Sequence, residues 1–308
     1  MAGFDVAVVG GGPAGLAAAL AVGRMNRRAI VFEAGVPRAS HAPCYHNVLG
    51  FPDGIPGERL MALGREHAAR WGAKFQEAAV AEARRTSRRG RERFEIVLAD
   101  GTRASSSGIV LATGVKDRQP GCGPLYEQTP RGVHYCAICD GRETVGERTA
   151  VVGRDPSAVG MVDALRDFTT DLHLLLDAEA DALDADSARA LDVWRVEVVP
   201  GLLETADCEP GAIRLRIPGQ GTLEFAHLFL ALGVVPRTRV AEGLGCRLDE
   251  DGYVRTDEIG ATTIPFVFAA GDCTGGLKQV TQAMAEGERA AIGLAKALRE
   301  EDGPAGGS

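Results

Sequence analysis

The chain has 308 residues, of which 45% are hydrophobic and 25% charged, and it carries a formal net charge of −8. That length leaves room for two cores of ordinary globular composition, and the acidic balance argues against nucleic acid as a main partner. The opening MAGFDVAVVGGGPAG enters a strand and a glycine turn with no basic leader region, and no apolar run reaches membrane-spanning length, so a cytoplasmic protein with no membrane partner is expected.

Taken in chain order, the first element is an apolar strand, Phe4 to Val9, followed by Gly10, Gly11, Gly12, Pro13, Ala14, Gly15 and the helical run LAAALAVGRMN. Gly10 suits a tight turn, Gly12 lets a pyrophosphate reach the backbone, and Gly15 lets the helix pack close to the strand. The helix start adds N–H groups and a positive dipole end for the phosphates. A second strand, 29–32, ends in Glu33, an acid placed to take the hydroxyls of an adenosine ribose. Strand, glycines, helix, strand and acid in that order predict a dinucleotide site.

Residues 82–93, EARRTSRRGRER, hold six arginines and read as an exposed basic hairpin or loop ahead of the strand FEIVLADG. IVLATG, 109–114, is a further apolar strand ending in a small-residue turn. In HYCAICDGRE, Cys136 and Cys139 stand three residues apart. A zinc site needs four ligands, and no second close pair supplies them; His41 and His46 bracket Cys44, but the count stays short, and no metal is expected. A redox pair or a structural pair remains. The other cysteines, Cys44, Cys122, Cys208, Cys246 and Cys273, are scattered singly and read as small buried apolar residues, with Cys44 held open as an exception.

A second strand–turn–helix follows at 149–165, but its turn reads Gly153, Arg154, Asp155, Pro156, Ser157, Ala158. Asp155 stands where a glycine would let a pyrophosphate approach, and a carboxylate there both blocks the backbone and repels the phosphates. Residues 171–192 carry seven acidic residues and one arginine. Near the end, FVFAAGD is an apolar strand closing on Gly271 and Asp272, and KQVTQAMAEGERAAIGLAKAL is a long helical run. EDGPAGGS, 301–308, has the composition of a disordered tail.

The strands ending at 114 and 272, the glycine turn and the last helix resemble the FAD domain of flavoproteins with two dinucleotide-binding domains. On that resemblance Gly271 and Asp272 would hold the ribityl or phosphate part of FAD, and Gln279 and Val280 would place backbone amides near its ring. CAICDG resembles the redox motif of low-molecular-weight thioredoxin reductases, and NVLGFP, 47–52, resembles that family's flavin-touching loop, which makes Asn47 a cofactor-binding candidate. The resemblance spans almost the whole chain. It implies an α/β fold with two doubly wound, Rossmann-like dinucleotide-binding domains: an FAD domain at 1–116 and 235–308, interrupted by a smaller domain at 117–234 that carries the CxxC. It also implies a homodimer and a redox disulfide in which Cys139 faces the flavin, Cys136 exchanges with the partner's sulfur, and Asp140 moves the proton. The thiolate is the nucleophile in such exchange, and a helix start favours it.

The chain departs from that family in its second nucleotide site. Besides Asp155, the family's His-Arg-Arg cluster for the NADPH 2′-phosphate is replaced by Leu176, Asp177 and Ala178, so an arginine fork gives way to an acidic surface. NADPH is therefore not expected as the ordinary donor, and a second FAD or another nucleotide is an alternative occupant. The sequence looks closest to the NAD(P)H-independent branch, which includes diflavin-linked disulfide oxidoreductases and ferredoxin-dependent flavin thioredoxin reductases. The expectation is an FAD-dependent disulfide oxidoreductase acting on a thioredoxin-like protein or a small disulfide, with ferredoxin among the candidate donors. The alternatives are a conventional NADPH-thioredoxin reductase, an oxygen-dependent dithiol oxidase, and a non-enzymatic flavin-bound redox sensor.

Overall fold

Strands that are apolar along most of their length suit a parallel sheet covered on both faces, and FDVAVV, AIVFE and LHLLL all form such strands in the computed structural model. The structure describes residues 3–88, 91–177 and 183–302. It divides into two units, one of Met1–Ser40, Ile55–Lys116 and Val235–Ser308, the other of His41–Gly54 and Asp117–Val234.

The first unit is built on a seven-stranded sheet in the order Lys74–Glu77, Ala29–Glu33, Phe4–Val9, Arg103–Leu111, Arg91–Leu98, Val80–Arg88, with Val267–Ala269 also paired to Arg103–Leu111. The strands around Phe4–Val9 run parallel, with Val8 level with Val31 on one side and Val110 on the other. One face of the sheet packs Val6, Val8 and Val110 against Ala18 and Val22 of the helix Pro13–Arg24 and Ala290 and Leu294 of the helix Val280–Asp302. The opposite face packs Val9, Ile30 and Phe32 against Phe94 and Ile96 of the antiparallel hairpin and Val240 of the short helix Arg239–Leu244. The predicted basic segment forms the far end of that hairpin; residues 89 and 90 lie outside the described residues. The last helix takes in Glu301 and Asp302, the first two residues of the predicted tail, and the other six lie outside the described residues.

The second unit repeats the plan on a smaller scale. Its parallel sheet has the order Glu197–Pro200, Leu172–Leu176, Thr149–Gly153, His227–Ala231, Val133–His134. The helices Pro156–Leu165 and Ala185–Val193 cover one face, and a three-stranded antiparallel sheet, Thr205–Glu209, Ala212–Ile217 and Gly221–Phe225, covers the other. Residues 41–54 cluster with this unit, whereas the sequence reading put them in the first. The reason is local: the His41 ring stacks on Tyr126 with centroids 4.9 Å apart, and the Thr129 hydroxyl donates to the His41 carbonyl at 2.8 Å. Among the described residues no helix is long and apolar enough to cross a membrane.

Candidate active site

The glycine turn of the first unit behaves as its spacing predicts. Gly10 has φ +115°, and a Cβ there would lie 2.2 Å from the Ala112 carbonyl oxygen; a Cβ on Gly15 would lie 1.9 Å from the carbonyl oxygen of Gly10. Both positions therefore exclude any side chain. Gly12 differs, because a Cβ there would meet nothing within 4 Å. It is the N-cap of the helix Pro13–Arg24, Pro13 takes the first helical position, and no side chain caps that end. An open helix start with room in front of its cap fits a pyrophosphate.

Beside this turn a cavity of about 670 Å³ is lined by Gly11, Glu33, Ser40, Met61 and Arg65, among others. Glu33 ends its strand as predicted, but it is not a lone acid: the Arg65 guanidinium, from the helix Gly57–Arg70, pairs with it and lies over the Phe75 ring at 4.4 Å. Arg65 stands 32 residues from Glu33 in sequence, so no local pattern announces the pair. At the sheet's end Gly271 has φ +76° and packs on Ala14, where a Cβ would be 2.8 Å from the alanine methyl; its N–H donates to Glu286 at 2.8 Å. Asp272 opens a 3₁₀ turn and pairs with Arg38 at 3.5 Å. Gln279 immediately precedes and Val280 begins the last helix, which comes so close to the first that a Cβ on Gly287 would lie 2.0 Å from the Ala14 carbonyl oxygen. Gly10, Gly12, Pro13, Ala14, Gly15, Glu33, Gly271, Asp272, Gln279 and Val280 thus all belong to one unit, arranged around one sheet end. Asn47 is the exception, since it sits on an exposed loop of the second unit. Glu286, Arg38, Arg65 and Gly287 were not found from the sequence, because they act through contacts between distant helices and turns.

In the second unit Cys136 and Cys139 are joined as a disulfide. Cys136 is the N-cap of the one-turn helix Ala137–Asp140, and its sulfur accepts the Cys139 backbone N–H at 3.1 Å. Ile138, which lies between the two cysteines in sequence, is exposed. Asp140 closes the turn, and its carboxylate lies 3.5 Å from Nδ1 of His134, whose Nε2 is 3.1 Å from Nδ1 of His227. His134 begins the stretch HYCAICDGRE, yet its partner stands 93 positions downstream on the neighbouring strand. Burial, and then the His134 ring, push His227 below its ordinary value of 6.5, with Glu147 and Glu143 opposing. A histidine held neutral contributes stability that is complete above the unfolded value and is lost as pH falls through the folded one. The thermal midpoint of the wild type should therefore drop relative to His227→Gln as the pH is lowered below 6.5; parallel curves would mean that His227 protonates without cost.

The remaining cysteines carry no comparable surroundings. Burial raises the thiols of Cys208, Cys246 and Cys273, and also that of Cys122, which is only partly buried. Cys44 is partly buried in the loop 41–54, where Gly54, at φ +78°, turns so tightly that a Cβ would lie 2.4 Å from the Cys44 sulfur and 2.8 Å from His46 Nδ1. Among the described residues no group of three or more His, Cys, Asp or Glu side chains could hold a metal ion.

The second glycine turn is altered as the sequence indicated, and its side chains are engaged. Asp155 is the N-cap of the helix Pro156–Leu165; its carboxylate accepts the Ser157 N–H at 2.9 Å and the Ser157 hydroxyl at 2.5 Å. Arg154 donates from Nε and Nη2 to one oxygen of Asp177 at 3.0 and 2.8 Å, and the other oxygen accepts the Leu203 N–H at 3.2 Å. The Asp177 side chain is 2% exposed. Ala178 lies outside the described residues.

The model of the pyridine nucleotide-disulphide oxidoreductase family matches residues 4–287. A thioredoxin reductase from Listeria innocua is 30% identical over 96% of this chain and 94% of its own. An Arabidopsis thaliana protein named NADPH-dependent thioredoxin reductase 3 is 32% identical over 87% of this chain and 53% of its own. Among solved structures, that of HlmI superposes with a TM-score of 0.88 at 29% identity, covering 97% of this chain and 94% of the other. With the glycine cradle in one unit and the CxxC disulfide in the other, the chain belongs to the pyridine nucleotide-disulphide oxidoreductase family and is a thioredoxin reductase-like, flavin-dependent disulfide oxidoreductase.

Proposed function

We propose that this enzyme moves electron pairs between FAD and the Cys136–Cys139 disulfide, and from there to a thioredoxin-like protein or a small disulfide, without NADPH as its ordinary donor. FAD would rest on the open start of the helix Pro13–Arg24, with Glu33 and Arg65 at its adenosine end and Asp272 farther along. Bound there, it supplies the two-electron chemistry. The protein's own contribution lies at the second unit: Cys136 exchanges with the partner's sulfur, Cys139 closes the disulfide, and Asp140 gives or takes the proton that the leaving or attacking sulfur requires.

One observation carries the exclusion of NADPH. A helix start attracts an anion because its N–H groups lack partners, and at the helix Pro156–Leu165 the chain's own Asp155 carboxylate already takes that place. The cation next to it in the turn, Arg154, is committed to Asp177. Displacing both means giving up two sets of charge-assisted hydrogen bonds worth roughly 1.5–3 kcal/mol each, which weakens binding by about a hundredfold or more. The relative named as NADPH-dependent favours the opposite reading, a conventional thioredoxin reductase.

Anaerobic stopped-flow separates the two readings. Mixed with NADPH, the yellow holoprotein should bleach slowly and without saturation at micromolar cofactor, whereas light or dithionite should reduce its flavin fully and the reduced enzyme should then reduce an added aromatic disulfide. Rapid, saturable bleaching by NADPH would restore the conventional assignment.

A further inference from the structure

We infer that His134 and His227 form a proton relay that connects Asp140 to solvent during disulfide exchange, with His134 as a positioning and proton-passing residue. This rests on the reading of Asp140 as the group that exchanges a proton with the redox sulfurs. The geometry is a chain of three side chains in one unit: Asp140 Oδ2 to His134 Nδ1 at 3.5 Å, and His134 Nε2 to His227 Nδ1 at 3.1 Å. The first link is a 3.5 Å approach rather than a short hydrogen bond, as is common at catalytic links before the reactant is bound.

The surroundings suit such a role. His134 is buried, and its ring lies on Phe229 with centroids 4.7 Å apart, which fixes its plane. Strand pairing sets the spacing, because Phe229 is level with His134 and His227 stands two residues before it, on the same face of its strand. His227 is only partly buried, so the chain leads from the redox turn outward. Two imidazoles sharing one N–N contact need one donor and one acceptor, so they hold together only while at least one ring is neutral. Burial and the His134 ring favour a neutral His227; Glu143 and Glu147 oppose this from the segment that follows the CxxC turn, and Asp140 faces His134.

The proton bookkeeping is closed by solvent alone. When the disulfide is reduced, the S–S bond accepts two electrons, which bound FAD would supply, and breaks to leave two thiolates. Asp140 protonates one of them and becomes a carboxylate. His134 then gives its Nδ1 proton to Asp140 and takes one at Nε2 from His227 Nδ1, while His227 takes one from water at Nε2. Oxidation of the dithiol runs the same transfers backward and releases the proton to water.

The test uses the FAD-loaded, oxidised protein mixed anaerobically with dithiothreitol, with loss of flavin absorbance as the signal and with and without added imidazole. Asp140→Asn should slow the reaction about a hundredfold, and His227→Ala about tenfold, less than removal of the general acid itself. Imidazole should restore most of the rate to His227→Ala and leave the wild type unchanged, with flavin content and thermal midpoint alike in both. His134→Asn should be slow as well; if that buried change prevents folding, His227→Ala decides. A His227→Ala protein that runs at the wild-type rate, or is slow without imidazole rescue, overturns the relay. If Asp140→Asn is slow in that case, the Asp140 assignment stands; if it too is unchanged, both fall.

Discussion

Cys136→Ser and Cys139→Ser should each abolish net disulfide turnover, by about a thousandfold or more since a covalent nucleophile is lost, yet only one of them should trap a partner. In the structure the Cys139 N–H points at the Cys136 sulfur, 3.1 Å away. Once the disulfide opens, that donor stabilises negative charge on Cys136, which makes Cys136 the attacking thiolate. With serine at 139, Cys136 can still attack an added disulfide but has no neighbour to expel the product, so a stable mixed disulfide should accumulate. With serine at 136, the hydroxyl still accepts the N–H and keeps the cap, so the fold survives while Cys139 reacts slowly. Intact-mass measurement after exposure to an aromatic disulfide reads the outcome. Faster adduct formation in Cys136→Ser than in Cys139→Ser would reverse the two roles.

What the sequence reveals and conceals follows from the range of the interactions. The turn at Gly10, Gly12 and Gly15 is legible because backbone sterics act within a few residues: a Cβ at the first or last of these would collide with main chain. The lost glycine at Asp155 is legible for the same reason, but the fate of its neighbour is not. Arg154 could have folded back over a phosphate, and only the fold shows it bound to Asp177, 23 residues away just past the end of the adjacent strand. Glu33 is legible as a strand-end acid, whereas the cavity it lines and its pairing with Arg65 depend on how a separate helix packs. His227 carries no motif at all; strand pairing alone delivers it to His134. Asn47, assigned through a resemblance of its loop, belongs to the unit that carries the CxxC, since His41, Tyr126 and Thr129 hold the loop's start there.

Gly12→Asp should yield a folded but colourless protein, and the comparison with Gly15→Ala shows why the two glycines of one motif fail differently. A side chain at Gly12 meets nothing within 4 Å, and the helix Pro13–Arg24 has no side-chain cap. An aspartate there can do for this helix what Asp155 does for Pro156–Leu165, adding roughly 0.5–2 kcal/mol as a cap while placing its carboxylate where FAD needs to put its pyrophosphate. The thermal midpoint of the flavin-free protein should hold or rise as flavin content falls to near zero, whereas Gly12→Ala, which adds a methyl but no charge, should keep its fold and bind flavin more weakly than the wild type. Gly15→Ala should instead lose stability outright, because its methyl would lie 1.9 Å from the Gly10 carbonyl oxygen. The opposite exchange in the second unit, Asp155→Gly, should cost its helix only a few tenths of a kcal/mol and open an anion site now filled by the chain itself, so that NADPH or a second nucleotide binds more tightly than to the wild type. Stoichiometric flavin in Gly12→Asp, measured by absorbance after gel filtration, would show that the pyrophosphate does not rest on this turn, and the contrast between a self-capped and an open helix start would then lose its bearing on the choice of electron donor.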